Sequence, residues 1–324
     1  MIILLYVSCL MCGCAGGPSQ EKMAIVFYNC ENFFDTVDDP LRDDDEFTPW
    51  GKYQYTRRMY LQKLHNMAIV LQSMGGEEGP VLIGLAEIEN NTVLNDLVQQ
   101  PEIAGKGYSY QWYDGPDARG VDVALLYDPI RFVVIESEPL HVPLDSGRTR
   151  DILYVQGVLA GDTVHVLVNH WPSRRGADGQ SAGRRAAAAK VCRDAMTTIW
   201  QERPGAHIIV MGDLNDNPAD SSISKVLGVA ASLSGIRNET LYNPFAAMYA
   251  RGEGTEAYMG QWNLFDQVMV SGGMRYAGAG IYRPPFLQSR LKGYEGTPKR
   301  SFISHRWVNG YSDHFPVVLY LYKK

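Results

Sequence analysis

From residue 23 onward, short apolar runs recur at residues 23–28, 81–85, 121–127, 131–135, 163–168, 207–211, 267–270 and 316–322. They are rich in β-branched residues and bounded by Gly, Pro, Asp or Asn, a pattern that predicts strands. Two stretches carry helical periodicity instead. Over residues 55–74, Met59, Leu61, Leu64, Met67, Ile69, Val70 and Leu71 alternate with Arg57, Arg58, Lys63 and His65, which makes those four the polar side. The second helix is expected over residues 183–200, around the alanine run 186–189. Residues 217–261 are irregular and rich in Gly and Tyr, and are expected to form long surface loops. No repeat, low-complexity linker or break in composition divides residues 23–324, so the pattern predicts one α/β domain there.

The N-terminus differs in kind. Residues 2–12 are apolar, but a helix needs about 20 residues to span a bilayer. Followed by Gly13, Ala15, Gly16 and Gly17, the run reads as a secretory signal segment over residues 1–14. Cys14 resembles the lipid-modified cysteine of a bacterial lipoprotein, with residues 15–22 as a tether. No Lys or Arg precedes the run, so a plain signal peptide and a buried first strand stay open as alternatives. The expectation is an exported, membrane-anchored protein, periplasmic or at the cell surface, and otherwise a secreted one. The membrane is then reached through lipid rather than a transmembrane helix.

Composition excludes whole classes. With 324 residues, 45% hydrophobic and 20% charged, the chain is neither disordered nor collagen-like. Past Cys14 only Cys30 and Cys192 remain, which make no disulfide framework and no zinc spacing, and both are expected as small buried hydrophobes. The net charge of −6 is concentrated in Asp38, Asp39, Asp43, Asp44, Asp45 and Glu46. That cluster lacks the spacing and central Gly of an EF-hand and reads as a solvated loop. Two stretches are basic: Arg174, Arg175, Arg184, Arg185, Lys190 and Arg193, then Arg290, Lys292, Lys299, Arg300 and Arg306. Local patches of this kind can hold a polyanion despite an acidic total, or be solvated faces.

Candidate chemistry lies at the strand ends. The first strand runs into Asn29 and Glu31, the second into Glu87, and that at 163–168 into Asn169 and His170. The strand at 207–211 leads into Gly212-Asp213-Leu214-Asn215, and the last strand is introduced by Ser312-Asp313-His314. If these ends share one side of a sheet, two imidazoles meet several carboxylates and amides, as metal-assisted attack on a phosphate requires. Oxygen donors without thiolates suit Mg²⁺, with Mn²⁺ or Ca²⁺ as alternatives.

The ordered set Asn29, Glu87, Asn169-His170, Gly212-Asp213-Leu214-Asn215, Asp266 and Ser312-Asp313-His314 resembles the endonuclease/exonuclease/phosphatase superfamily over almost all of the chain past the leader. The resemblance implies a four-layer α/β/β/α sandwich of two packed mixed sheets, with the site at one edge. It also implies roles. Glu87 and Asn29 would hold the metal, with Asp313 as a further metal-proximal carboxylate. Asp213 and Asn215 would orient the attacking water and the phosphate. His314, positioned by Asp266, would act as base or transition-state stabiliser, and His170 would donate from the other side of the phosphate. Asp122 matches the carboxylate that supports this histidine in the deoxyribonuclease branch, and Glu31 is read either as an assisting acid or as a surface residue.

Residues 29–34, 86–90, 169–176 and 258–262 resemble the bacterial secreted nucleases within that superfamily. The function implied is a metal-dependent phosphodiester hydrolase, an exported or surface-anchored endonuclease acting on DNA or RNA. Arg174, Arg175 and Arg184 after His170, and Arg300 and Arg306 before Asp313, would pair with flanking phosphates. Trp262 is expected in the core, and Trp171 either there or stacked on a base. The alternatives are a phospholipid or inositol-phosphate phosphoesterase, and a non-catalytic surface binding protein. Nucleic acid is the expected partner, and no protein partner is implied.

Overall fold

The structure is a computed structural model that describes residues 21–174 and 180–323. The expected leader with Cys14, and Arg175, lie outside the described residues. No helix among the described residues is long and apolar enough to cross a membrane.

In chain order the first half contains β1 (Lys22–Phe33), α1 (Arg57–Gln72), β2 (Leu82–Ile88), α2 (Asn91–Val98), β3 (Ser109–Trp112) and β4 (Asp122–Tyr127). Next come β5 (Phe132–Leu140), β6 (Ile152–Leu159), β7 (Asp162–His170), α3 (Gln180–Glu202), β8 (His207–Asp213) and β9 (Leu241–Tyr242). The remainder is α4 (Phe245–Ala250), β10 (Glu256–Tyr258), β11 (Gln261–Asn263), β12 (Asp266–Ser271), β13 (Tyr276–Ile281), β14 (Phe302–Ile303), β15 (Arg306–Trp307) and β16 (Val317–Tyr322).

Two six-stranded mixed sheets result, ordered β13-β16-β1-β2-β4-β3 and β5-β6-β7-β8-β12-β9. Each contains one parallel pair, β1 with β2 and β7 with β8, and each pair is joined by a crossover helix, α1 or α3. The other neighbours are antiparallel.

Strand alternation builds the layers. Ile25 and Phe27 of β1, Val164, Val166 and Val168 of β7, Ile209 and Met211 of β8 and Val268 and Val270 of β12 pack together between the sheets. The intervening residues face outward. Val26, Tyr28, Ile83 and Leu85 meet Leu64, Met67 and Leu71 of α1, while Leu167, Ile208 and Val210 meet Ala188, Ala189, Cys192 and Met196 of α3. The expected four layers are present. Thr56 starts α1 by accepting from the Met59 amide at 3.4 Å, and Asn90 starts α2 by accepting from Val93 at 2.9 Å. Cys30 and Cys192 are buried free thiols, as expected.

Three details differ from the sequence pattern. Residues 217–261 are not only loops, because they contain a π-helical turn at Ser222–Leu227, α4 and three short strands or strand starts. Lys63 does not join the polar side of α1, since it is fully buried. Strand β6 carries the same β-branched pattern as its neighbours, yet it falls outside the runs singled out above; β5 beside it accommodates Pro139 because it is an edge strand.

Gly212 shows how tightly the parallel pair at the centre of the second sheet is drawn. A Cβ there would lie 2.4 Å from the Asn169 carbonyl oxygen and 2.6 Å from its Cβ, and backbone cannot step aside cheaply. Gly212→Ala should therefore lower the unfolding free energy by about 1–3 kcal/mol, read as a reduced urea midpoint at unchanged slope.

His165 supplies a pH signature of the fold. It is buried on β7, with Tyr154 Oη 2.8 Å from its Nδ1, and burial, aided by Arg203, pushes its pKa down to about 4. The unfolded imidazole takes up a proton near pH 6.5, whereas the folded one resists until about pH 4. Its contribution to stability is thus present above pH 6.5 and lost as pH falls toward 4. The stability difference between the protein and His165→Gln should shrink over that interval when urea midpoints are compared at pH 7.5 and 4.5.

Candidate active site

The inward-facing alternation that fills the inter-sheet core continues one step further at the strand ends, and there the side chains become polar. After Phe27 comes Asn29, after Val168 His170, after Met211 Asp213, and before Val268 Asp266. Burial class agrees, with Asn29, His170, Asp213 and Asp266 all withdrawn from solvent. His314 arrives from the residues before β16 and closes the group.

Asp213 is the centre. Its Oδ2 accepts from Asn29 Nδ2 at 3.0 Å, and its Oδ1 accepts from the Asn215 amide at 3.0 Å. His170 Nε2 lies 3.6 Å from Oδ2 on one side and His314 Nε2 3.9 Å on the other. The opposite nitrogen of His314, Nδ1, is 2.7 Å from Asp266 Oδ2, so Asp266 fixes that ring. Ser312 Oγ donates to the Asn29 carbonyl at 2.7 Å and accepts from the His314 amide at 3.1 Å, tying this segment to the end of β1. Asn215 Nδ2 donates to the Trp171 carbonyl at 3.0 Å.

The two imidazoles are driven apart in charge. Burial opposes the charged form of His314, but Asp266, Asp213 and Asp313 outweigh it and raise its pKa well above the ordinary histidine value. Burial, with Arg150, Arg119 and His314 nearby, holds His170 well below that value. The surroundings thus favour the cation at His314 and the neutral ring at His170. Burial pushes Asp213 up to about 7, against the pull of the His314 cation and the Asn215 and Asn29 donors.

Glu87 is placed by backbone strain. It occupies a bulge in β2, where Ala86 pairs with Val123 and Ile88 with Asp122, and its φ is +62°. Glu31, Asn32 and Asn215 are also left-handed, at +49°, +51° and +48°, so strained residues border the site on three segments. Glu87 Oε2 accepts from the Asn32 amide at 2.6 Å. Its Oε1 faces His170 Nε2 at 3.8 Å and Arg119 at 4.0 Å and accepts no hydrogen bond among the described residues, so its lone pairs are available to an added donor or cation. Glu87, Asn29 and Asp313 offer the oxygen donors that a hard divalent cation takes, with Asn29 Oδ1 accepting from the Glu31 amide at 2.9 Å. Asp213, Asp266 and His314 also lie within 4.8 Å of one another. Within that trio His314 Nδ1 is already engaged by Asp266 Oδ2 at 2.7 Å, so those two atoms serve each other first.

Other expected residues fall out differently. Glu31 is not a surface residue: it is buried, its Oε2 accepts the Ser301 amide at 2.6 Å, and burial and Asp313 raise its pKa to about 7. Asp122 does not support His170. Its carboxylate accepts the Gly115 amide at 2.9 Å, and His170 Nδ1 is buried without a hydrogen-bond partner among the described residues. Asn169 is structural, its Oδ1 accepting from Trp171 Nε1 at 3.0 Å while its Nδ2 donates to Leu167 and Met211 carbonyls. Arg174 is already paired with Asp216 at 3.1 Å and Asp220 at 2.5 Å, and lies over the Phe265 ring. Arg184 reaches Ser146 at 3.4 Å, Arg300 lies 3.9 Å from Asp313, and Arg306 is exposed. Trp171 is core, whereas Trp262, expected there, is 36% exposed and stacks on Phe315.

Residues outside the sequence motifs complete the frame. Arg150 Nη2 donates to the Trp171 carbonyl at 2.8 Å and its Nε to that of His170 at 3.2 Å, while Asp117 balances its charge at 3.0 Å. Lys63 Nζ donates to the Glu31 carbonyl and, at 3.3 Å, to Ser301 Oγ.

A model of the endonuclease/exonuclease/phosphatase family matches residues 24–323. By sequence, no curated protein matches the chain. Among solved structures, an endonuclease/exonuclease/phosphatase family protein from Bacteroides thetaiotaomicron superposes with TM-score 0.60 at 15% identity, covering 94% of this chain and 99% of that one. D. rerio TDP2 in complex with a single-strand DNA product gives TM-score 0.56 at 15% identity, with 92% and 98% covered. A mannosyl-6-phosphatase from Bacteroides thetaiotaomicron gives 0.58 at 15%, with 92% and 98% covered. At such identity each likeness is one of fold.

Lys63 provides a test of the frame. Lys63→Met keeps the volume of the stem but leaves the Glu31 carbonyl without this buried donor, and should destabilise the protein by about 1–3 kcal/mol. Thermal melts should show the loss, and Lys63→Arg should recover little of it, because the larger guanidinium has no room in a fully buried position.

Proposed function

The chain belongs to the endonuclease/exonuclease/phosphatase family, hydrolases acting on phosphoester bonds, and from that premise we propose that it is a divalent-metal-dependent phosphodiester hydrolase, an endonuclease acting on DNA or RNA. The observation that carries the reading is the convergence of His170 and His314 on Asp213, beside a Glu87 oxygen that accepts no hydrogen bond among the described residues. Mg²⁺, held by Glu87 with Asn29 and Asp313, would supply Lewis-acid stabilisation of the phosphoryl oxygens.

The chain's own residues account for the rest. A water placed against Asp213 is oriented by that carboxylate and by Asn215, and Asp213 can accept its proton near neutrality. His314, braced by Asp266 and surrounded by carboxylates that favour its charged form, is suited to hold negative charge developing on the phosphoryl group. His170, favoured as the neutral ring, presents Nε2 as a hydrogen-bonding group on the opposite side of Asp213, and Arg150 keeps its backbone in place. The apolar residues 2–12 followed by Cys14 support an exported, lipid-anchored location for this activity.

Supercoiled plasmid should be nicked in the presence of Mg²⁺ and left intact with EDTA. Asp213→Asn and His314→Gln should each lose about 10²–10⁴-fold in rate while melting near the temperature of the unsubstituted protein. Turnover of a phosphomonoester with the plasmid untouched would sink the nuclease reading and keep the hydrolase; wild-type rates in both variants would sink the site.

A further inference from the structure

The chain between residues 285 and 311 encloses a cavity of about 630 Å³ that has no part in the chemistry above. Three of its walls are aromatic, Phe286, Tyr294 and Tyr311, and three are basic, Arg290, Lys299 and Arg300; no carboxylate lines it. Phe286 meets Tyr311 edge-on at 5.5 Å, and Lys299 Nζ lies 5.3 Å over the Tyr311 ring, so cation and ring faces are presented together. Phe286 and Tyr294 are 37% and 38% exposed, so part of each ring is open to a ligand.

The cavity shares a wall with the active site. Arg300 lines it while lying 3.9 Å from Asp313. The next residue, Ser301, donates its amide to the Glu31 carboxylate at 2.6 Å, and Tyr311 donates its amide to the Lys299 carbonyl at 2.6 Å. Arg300 is therefore the link between the cavity and the Asp313 side of the active site.

We infer that this cavity is a binding site for the nucleotide adjoining the cleaved phosphate, with its base against Phe286 and Tyr294 and its outer phosphate on Arg290 and Lys299. The chemistry selects among ligands. A cavity with only cations calls for an anion, and aromatic walls call for a flat ring, a pair of demands that a nucleotide meets at once. An acyl chain makes no use of three cations, and a sugar phosphate makes little use of three rings. The size lies within the ordinary range for small-ligand sites. The orientation of the ligand rests on the phosphodiesterase reading; its binding does not.

The test is calorimetric binding to the full chain, with and without Mg²⁺, of thymidine 3′,5′-bisphosphate, of the same bisphosphate lacking the base, and of inositol phosphate. The base should improve affinity by about 5-fold or more. Tyr294→Ala and Phe286→Ala, at half-exposed positions that leave the fold intact, should erase that advantage without weakening the abasic compound. Arg290→Ala should weaken both nucleotide ligands alike and flatten their salt dependence. Equal binding with and without the base, or tighter binding of inositol phosphate, overturns the inference. Plasmid nicking measured in parallel separates the two readings: nicking without base-dependent binding removes the cavity site alone, and base-dependent binding without nicking removes the nuclease reading alone.

Discussion

Asp213 is a carboxylate held where water scarcely reaches it, and the arrangement around it follows from that constraint. A lone buried carboxylate would take up a proton, and burial does push this one toward neutrality, up to about 7. Donors must therefore be brought to it from elsewhere. Asn29 comes from β1 in the other sheet, the Asn215 amide from the turn after β8, and the His314 cation from the approach to β16. Those groups come from both sheets, so the two layers must meet in one register at this end for the charge to be tolerated. Sheet packing and catalytic geometry are the same requirement at this edge.

The cost of that convergence is visible in the backbone. Glu87 could not face His170 if β2 continued its regular alternation, and the bulge with a left-handed glutamate turns it there. Glu31 and Asn32 make a second left-handed pair where β1 departs from its pairing with β2. Lys63 from α1 holds the Glu31 carbonyl and the Ser301 amide its carboxylate, and Lys63 and Ser301 are joined to each other at 3.3 Å. Strain of about 1–3 kcal/mol per residue persists because several segments over-determine it.

The legible part of the site is the part that obeys period-2 alternation. Asn29, His170, Asp213 and Asp266 could be read from sequence because each extends an inward-facing apolar series by one step, so a polar residue there stands out. Glu87 was legible from its motif, although the bulge that aims it leaves no mark in residue type. Lys63 was misassigned for the opposite reason: helical spacing alongside Arg57 and Arg58 gives it a polar neighbourhood, whereas its ammonium reaches back to carbonyls of a segment 31 residues earlier. Asp122 failed as a partner of His170 because nothing in its spacing reveals that Gly115 folds back over its carboxylate.

Charge counting along the chain misleads for a related reason. The basic run after His170 looks like a phosphate clamp, yet Arg174 and Arg185 both converge on Asp216, 2.8 Å from Arg185, and are neutralised before any substrate arrives. Such pairs brace the turn that carries Asn215, whose carbonyl accepts from Arg174 Nε at 2.8 Å. The later basic run differs in its surroundings. Arg290, Lys299 and Arg300 line a cavity without acidic groups, and the carboxylate nearest to Arg300 belongs to the active site at 3.9 Å. A cation acts on an anionic ligand only to the extent that the protein has not already paired it. By that criterion Arg174 and Arg185 are spent on the fold, whereas Arg290 and Lys299 carry no ion pair among the described residues.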